Sequence, residues 1–305
     1  MASVLNPQVL DQVIVLMALM LVGAAAKRFA IITNDALRWF ITLLMSIALP
    51  CTIISSFHFA LTSDLAENAG LIFLVSLAAH VGLIAVSQLL YRGYPIAKRR
   101  IFVLSTAFSN CGFVGYPIAQ SLFGDIGVFY ASIFTIPFNI LVFSYGVHQF
   151  GRSDGISMWK AMLNPPMIAT TIGILFFLTS LQLPSPVSKT MSALGAMTTP
   201  LSLLIIGAML ADTKLSSVLR NGSFYYLSFV KLLLAPLLVF IGLYFFHLDR
   251  TMVDISIALV AMPSASLIGV FAQRYNGDSE TAARCAFVTT VLSVVTIPAI
   301  LVLLP

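Results

Sequence analysis

The sequence predicts an all-α integral membrane protein of ten transmembrane helices, arranged as two inverted five-helix repeats, and three observations predict it. Of 305 residues, 59% are hydrophobic and 9% are Asp, Glu, Lys or Arg, against about 25% charged in soluble proteins; a water-soluble globule is excluded. Ten apolar runs approach the roughly 20 residues that a transmembrane helix needs. Lys and Arg then collect in alternate connections, as cytoplasmic loops do. The formal net charge of +5 carries no nucleic-acid reading; in a membrane protein the informative quantity is which loops hold the cations.

The first run, residues 8–27, ends in Lys27-Arg28. A signal peptide has its cations before the apolar stretch, so despite Ala24-Ala25-Ala26 this run reads as a span. Thr33-Asn34-Asp35 opens the second, 36–58, which contains Pro50. The third, 68–91, holds His80 and ends at Arg92-Gly93-Tyr94-Pro95. The fourth and fifth, 100–122 and 126–149, meet at Gly124-Asp125; Asn164-Pro165-Pro166 precedes the sixth, 165–183. The seventh, 187–211, contains Pro200, and the eighth, 223–246, contains Lys231. The ninth, 252–273, is separated from the tenth, 281–304, by Asn276-Gly277-Asp278. Hydrocarbon demands that every backbone group be paired within the protein, so each run is read as helical.

With these spans, Lys27, Arg28 and Arg38, then Arg92 with Lys98, Arg99 and Arg100, then Arg152 and Lys160, Lys214 and Arg220, and Arg274 and Arg284 share one side. Only Lys189 and Arg250 fall in loops on the other. Both termini are therefore expected outside. Cys51, Cys111 and Cys285 are far apart, without C-x-x-C spacing, and read as small packing residues; no metal site or cofactor is expected.

Five spans followed by five more place residues 1–153 and 154–305 upside down relative to each other, the plan of many secondary transporters. An offset of 153 residues supports it: Ala119-Gln120 meets Ala272-Gln273 and Gly124-Asp125 meets Gly277-Asp278. The corresponding spans four and nine are also the least helical at their middles. Span four carries Asn110, Gly112, Gly115 and Pro117; span nine carries Pro263, Ser264 and Ser266. Inside a helix Gly costs about 1 kcal/mol and Pro about 3 kcal/mol relative to Ala, so both spans are expected to be interrupted. The half-helix after each break presents free N–H groups and a positive dipole end, an anion site. Asn110, Ser264 and Ser266 add neutral groups suited to a carboxylate.

Ionisable residues inside spans are functional candidates. Lys231 either attracts an anion into the cavity or snorkels to the surface. His80 either carries a coupling proton or is a neutral imidazole hydrogen-bonded in the bundle. Asn139, after Pro137, and Tyr116 either face the cavity or serve helix packing. Asp11 and Asp254 lie near outer ends. Proton coupling is open, sodium coupling is less expected without clustered carboxylates, and uniport or exchange is also open. No H-E-x-x-H, G-x-S-x-G or Walker A pattern occurs, and Ser157-Met-Trp-Lys160 matches S-x-x-K in a basic loop without supporting motifs; an enzyme is not expected. A channel or passive sensor is the other rival class.

Ser109-Asn110-Cys111-Gly112-Phe113-Val114-Gly115-Tyr116-Pro117, Leu122-Phe123-Gly124, Ala261-Met262-Pro263 and Arg274-Tyr275-Asn276-Gly277-Asp278 together resemble the auxin efflux carrier family, in its compact bacterial form, some of whose members are organic-acid or malonate permeases. The resemblance implies a bile-acid-symporter type of fold, with spans one, two, six and seven as scaffold and spans three to five with eight to ten as a moving transport unit. It further implies a substrate site where broken helices four and nine cross, involving Asn110, Cys111, Gly112, Gly115, Tyr116 and Pro117 with Pro263, Ser264, Ala265 and Ser266, and a homodimer through the scaffold. Plant members carry Asn near the span-nine proline, where this chain has Ser264-Ala265-Ser266, which argues against an aromatic auxin. The reading is an alternating-access carrier of small organic anions in the cytoplasmic membrane; a sodium-coupled symporter of bile-acid type is the alternative.

Overall fold

A computed structural model describes residues 7–59, 62–150, 163–181, 183–211, 222–246 and 248–303. The basic segments with Arg152 and Lys160 and with Lys214 and Arg220, and the S-x-x-K match, lie outside them. Helices dominate, and among the described residues the single strand-like feature is an antiparallel bridge between Ser109 and Ser264.

Helix α1 is Pro7–Arg28 and α2 is Asn34–Ser55. Thr33 starts α2 by accepting a hydrogen bond from the Ala36 amide at 3.2 Å, an N-cap. Thr62 does the same for α3, Ser63–Leu90, through Leu65. Helix α4, Ile96–Ala107, stops at Phe108, whose backbone is extended. The run Cys111–Gly146 follows, but Gly124 divides it at φ 62°, ψ −146°, a conformation only glycine adopts at low cost. It is therefore two helices, α5 (111–123) and α6 (125–146). Asn164 caps α7, Pro165–Thr179, through the Met167 amide at 3.0 Å. Helix α8 is Ser185–Ala211 and α9 is Gly222–Tyr244. Asp249 caps α10, Arg250–Ala261, which ends in extended backbone at Met262. The short α11, Leu267–Arg274, and the long α12, Ser279–Leu303, complete the chain.

Six runs among the described residues are long and apolar enough to cross a bilayer: α2, α3, α5 with α6, α8, α9 and α12. The protein is thus a multi-pass α-helical membrane protein. The expected fourth and ninth spans are each two pieces. At 1.5 Å per residue, the 12-residue α4 and α10 rise about 18 Å and the eight-residue α11 about 12 Å, short of the roughly 30 Å hydrocarbon core.

Prolines within spans are handled differently from the breaks. Five-residue π-helical turns, Leu44–Ala48, Cys111–Gly115 and Val230–Leu234, immediately precede the segments that start Leu49-Pro50, Tyr116-Pro117 and Ala235-Pro236. Proline has no N–H and its ring collides with the carbonyl four residues back; the wider π turn shifts that register, so the chain stays helical. Pro117, expected within the fourth-span interruption, accordingly lies in continuous helix, and the interruption itself is at 108–110.

Packing falls into two groups. Helices α1 and α8 cross so closely that a methyl added at Gly207 would lie 1.9 Å from the Met20 carbonyl oxygen, and one at Gly23 would lie 2.2 Å from that of Leu204. Thr52 of α2 joins them, donating to the Gly195 carbonyl at 2.9 Å and pairing with Thr198 at 2.7 Å, while Phe57 covers Gly173 of α7. The second, α3, α4, α6, α9, α10 and α12, shares an apolar core around Phe102, Phe108, Phe129 and Phe134, and that core continues into the first through Leu49 and Ile53 of α2, Phe57, and Ala169 and Phe177 of α7.

Candidate functional site

The two interruptions meet. The Asn110 amide donates to the Pro263 carbonyl at 2.8 Å and the Ala265 amide to the Phe108 carbonyl at 3.0 Å. Unwound backbone inside hydrocarbon must find partners in the protein, and here each break supplies them to the other. The Ser264 amide donates to Thr289 Oγ1 at 3.0 Å, and the Ser264 hydroxyl to the Ser105 carbonyl at 2.8 Å.

Four half-helix ends converge at this crossing: the C-termini of α4 and α10 and the N-termini of α5 and α11. The C-termini carry unpaired carbonyls and the negative end of the dipole. Lys231, in the π turn of α9 and fully buried, covers both. Its Nζ donates to the Thr106 carbonyl of α4 at 3.1 Å, to the Val260 carbonyl of α10 at 3.1 Å and to Ser109 Oγ at 2.6 Å. The Ser109 hydroxyl in turn donates a hydrogen bond to the Val260 carbonyl at 3.2 Å. An ammonium has three donors, and all three are used. Lys231 thus neither snorkels nor enters a cavity; it lies behind the crossing.

The N-termini face open space. Asn110 caps α5 through its Oδ1, which accepts from the Phe113 amide at 3.3 Å. The amides of Gly112, Ser266 and Leu267 find no acceptor among the described residues. All of these residues line a cavity of about 320 Å³. Its remaining polar lining is Ser109, Tyr116, Thr135, Asn139 and Asn164, and its apolar walls include Met45, Phe138, Phe143 and Val270. No ionisable Lys, Arg, His, Asp or Glu lines it among the described residues. A neighbouring cavity of about 240 Å³ shares Asn110, Phe113 and Ser266 and is otherwise lined mainly by Ile41, Val114, Ile205, Ile206 and Met209.

Of the residues singled out in the sequence, Asn110, Cys111, Gly112, Tyr116, Asn139, Ala265 and Ser266 line the larger cavity. Gly115 packs against the Leu259 side chain instead, where an added methyl would be 2.8 Å away. Pro117 offers its carbonyl to Thr199 of α8 at 3.4 Å. Pro263 and Ser264 form the crossing itself. His80 is buried in α3, with Nδ1 2.7 Å from the Ser76 carbonyl, the partner that requires Nδ1 to donate. The rings of Phe134, Phe108 and Phe138 surround it at 5.4, 5.7 and 5.8 Å. Asp254 is buried, with Oδ2 3.8 Å from Arg250.

Sequence reasoning missed Ser109, Thr135 and Asn164 as lining residues. Thr135 was detectable: it lies one helical turn before Asn139, whose side-chain amide donates to its carbonyl at 2.7 Å. Asn164 was read as part of a connection, since Asn-Pro-Pro is a helix-start signal and nothing in it indicates a cavity mouth.

A transmembrane protein with a substrate-sized cavity at the meeting of two broken helices is built like a carrier, and comparison with known proteins agrees. The chain matches the family described as membrane transport protein over residues 8–156 and 150–301. It belongs to that family. An uncharacterized transporter of Methanothermobacter thermautotrophicus is 24% identical over 293 residues, covering 94% of this chain and 96% of its own. A Rhizobium meliloti protein named "Putative malonate transporter" is 22% identical over 298 residues, covering 94% and 92%. An uncharacterized transporter of Escherichia coli K12 is 23% identical over 300 residues, covering 93% of each. The resemblance to auxin efflux carriers holds at the level of this family, whose members named here are transporters rather than enzymes.

Proposed function

We propose that this protein is a secondary active transporter of small organic anions across the cytoplasmic membrane, working by alternating access. The observation that carries the reading is the cavity at the crossing, where the N-termini of α5 and α11 bring unpaired amides together with Asn110, Asn139 and Ser266. Such an arrangement stabilises a carboxylate through dipoles and neutral donors and leaves it easy to release.

The architecture proposed with it has ten spans, α4 with α5 and α10 with α11 counting as one each, in two inverted halves, 1–153 and 154–305, with both termini outside. Spans one, two, six and seven form the scaffold, through which two copies pair, and spans three to five with eight to ten move. The close α1–α8 crossing and the α2 contacts with α7 and α8 support a rigid scaffold group; movement of the other group against it requires the Phe129 contacts with Phe57 and Phe177 to slide. In this orientation the cavity runs from the crossing toward Asn164 and Val270, the side where Lys27, Arg28 and Lys98–Arg100 collect, and the arrangement is inward-facing. On the outer side, α8 holds α5 through Ser202 to the Phe113 carbonyl and Thr199 to that of Pro117. These bonds must open for the substrate to leave outward.

Proton coupling is included in the proposal, with sodium coupling as the alternative. Uptake of labelled malonate, succinate, lactate and hexanoate into proteoliposomes, under inward proton or sodium gradients, tests the reading. Saturable flux of at least one acid, reduced by Asn110→Ala, is expected; absence of flux for every acid under every gradient refutes it. Loss of gradient dependence in His80→Gln would give His80 the coupling proton.

A further inference from the structure

We propose that the cavity selects a singly charged carboxylate bearing an apolar body and discriminates against dicarboxylates of the same skeleton. This rests on the organic-anion reading above and names the charge class of its substrate.

The argument begins with the charges available at the cavity. None of its lining side chains among the described residues is cationic. Lys231, the buried cation of the crossing, has its three protons committed to Thr106, Ser109 and Val260. Its charge is set against the two negative helix ends, and its side chain does not line the cavity. What remains positive toward the cavity with free amides is the pair of half-helix N-termini, each equivalent to about half an elementary charge; α7 also starts at this cavity, through Asn164 and Pro166, but its two prolines have no N–H and its Met167 amide is held by Asn164 Oδ1. Together the two half-helix N-termini balance about one carboxylate. A second carboxylate on the same skeleton would find neither a lining cation nor another helix end with free amides, and a charge set against apolar walls without compensation is costly.

The walls point the same way. Beyond the amides, the cavity is bounded by Met45, Phe113, Phe138, Phe143, Leu267 and Val270. The adjoining space behind Phe113 is lined mostly by Ile41, Ile205, Ile206 and Met209. A carboxylate held at Gly112 and Ser266 therefore has apolar surface to cover with the rest of the molecule. A three-carbon diacid leaves that surface bare and brings a charge against it. Burial of apolar surface yields about 25 cal/mol per Å², so affinity is expected to rise with the size of the apolar body.

The test uses the full chain in proteoliposomes at pH 7.5, where both carboxyls of a diacid are ionised, and matched labelled pairs: hexanoate against adipate, and monoethyl malonate against malonate. Uptake efficiency is expected to be at least tenfold higher for the singly charged member of each pair. Equal or greater uptake of adipate or malonate overturns the proposal while leaving the organic-anion reading intact. Failure of all four acids to move overturns both. A second arm adds a cation at the wall: Val270→Arg, at a position where the side chain is 56% exposed, is expected to shift the adipate-to-hexanoate ratio at least threefold toward adipate. An unchanged ratio in a variant that still transports hexanoate overturns the charge argument.

Discussion

The α1–α8 crossing provides a test of which helices form a rigid pair. In Gly207→Ala the new methyl would lie 1.9 Å from the Met20 carbonyl oxygen, 2.7 Å from its carbon and 3.0 Å from the Ala24 nitrogen. All three are backbone atoms, so no side chain can rotate away. Close C···O contacts in proteins lie near 3.3 Å, and the helices must part locally by about 1.4 Å. That separation opens the small-residue contact on which membrane helices rely, and overpacking of this kind costs about 1–3 kcal/mol or somewhat more. At about 2–4 °C per kcal/mol, a penalty near 3 kcal/mol lowers Tm by about 6–12 °C. Gly242→Ala is the control, since an added methyl there meets nothing within 4 Å and replacing helical Gly by Ala is favourable by up to about 1 kcal/mol. Thermal unfolding of the purified full chain in detergent, followed by loss of the monodisperse peak, measures both. If Gly207→Ala melts within 2 °C of wild type and of Gly242→Ala, the tight crossing is wrong.

Further outcomes follow from the site and its supports. Lys231→Met leaves the Thr106 carbonyl without its donor at about 1–3 kcal/mol and is expected to lower kcat at least tenfold with KM little changed, because Lys231 does not line the cavity; Asn110→Ala is expected to raise KM. Transport kinetics separate the two, and a KM effect alone in Lys231→Met would contradict its placement. Removing the α8–α5 bonds with Ser202→Ala and Thr199→Val forfeits about 0.5–1.5 kcal/mol each, shifting the resting equilibrium outward roughly 5- to 150-fold. Labelling of a cysteine at 113 by external, membrane-impermeant maleimide, in a cysteine-free background, should accelerate; an unchanged rate would count against the bonds as an outer latch. Gly124→Ala forces a side chain into a glycine-only conformation at about 1–3 kcal/mol with no collision, so a loss of thermal stability without loss of substrate affinity is expected, checked by melting and uptake together.

Apolar run length located the helices, and the Gly, Pro and Ser clusters marked which two spans are interrupted, because both are local properties of the chain; in span four the break itself falls at 108–110, just before most of the cluster. The half-helix N-termini at Gly112 and Ser266 were legible for the same reason. Helix partners were not. Most of these helices are apolar all round, so no amphipathic face says that Gly23 must meet Leu204 or that Gly173 must receive Phe57. Lys231 was legible as a buried charge, yet two of its partners are backbone carbonyls, which have no sequence signature; only the fold brings Thr106 and Val260 to the same ammonium. Pro50, Pro117 and Pro236 could be read as breakers, but a π turn and a true break look alike in sequence. What distinguishes them is whether another chain segment offers hydrogen-bond partners, as Pro263 and Phe108 do for the breaks.

Breaking two helices at one depth creates a pair of negative ends and a pair of positive ends, and the protein must settle both without water. One lysine settles the negative pair, and its commitment there fixes the division of labour at the crossing. The cation stabilises the scaffold of the crossing, whereas in the proposed site ligand recognition passes to uncharged amides. Such a site gains affinity without a fixed ionic partner for the ligand. A carboxylate bound to a cationic side chain in a low dielectric would be slow to leave, since separating two buried unlike charges is far more costly than releasing an anion from dipoles. Carriers need moderate affinity on both sides of the membrane, and the placement of Lys231 behind rather than within the cavity is what this chain contributes toward that condition.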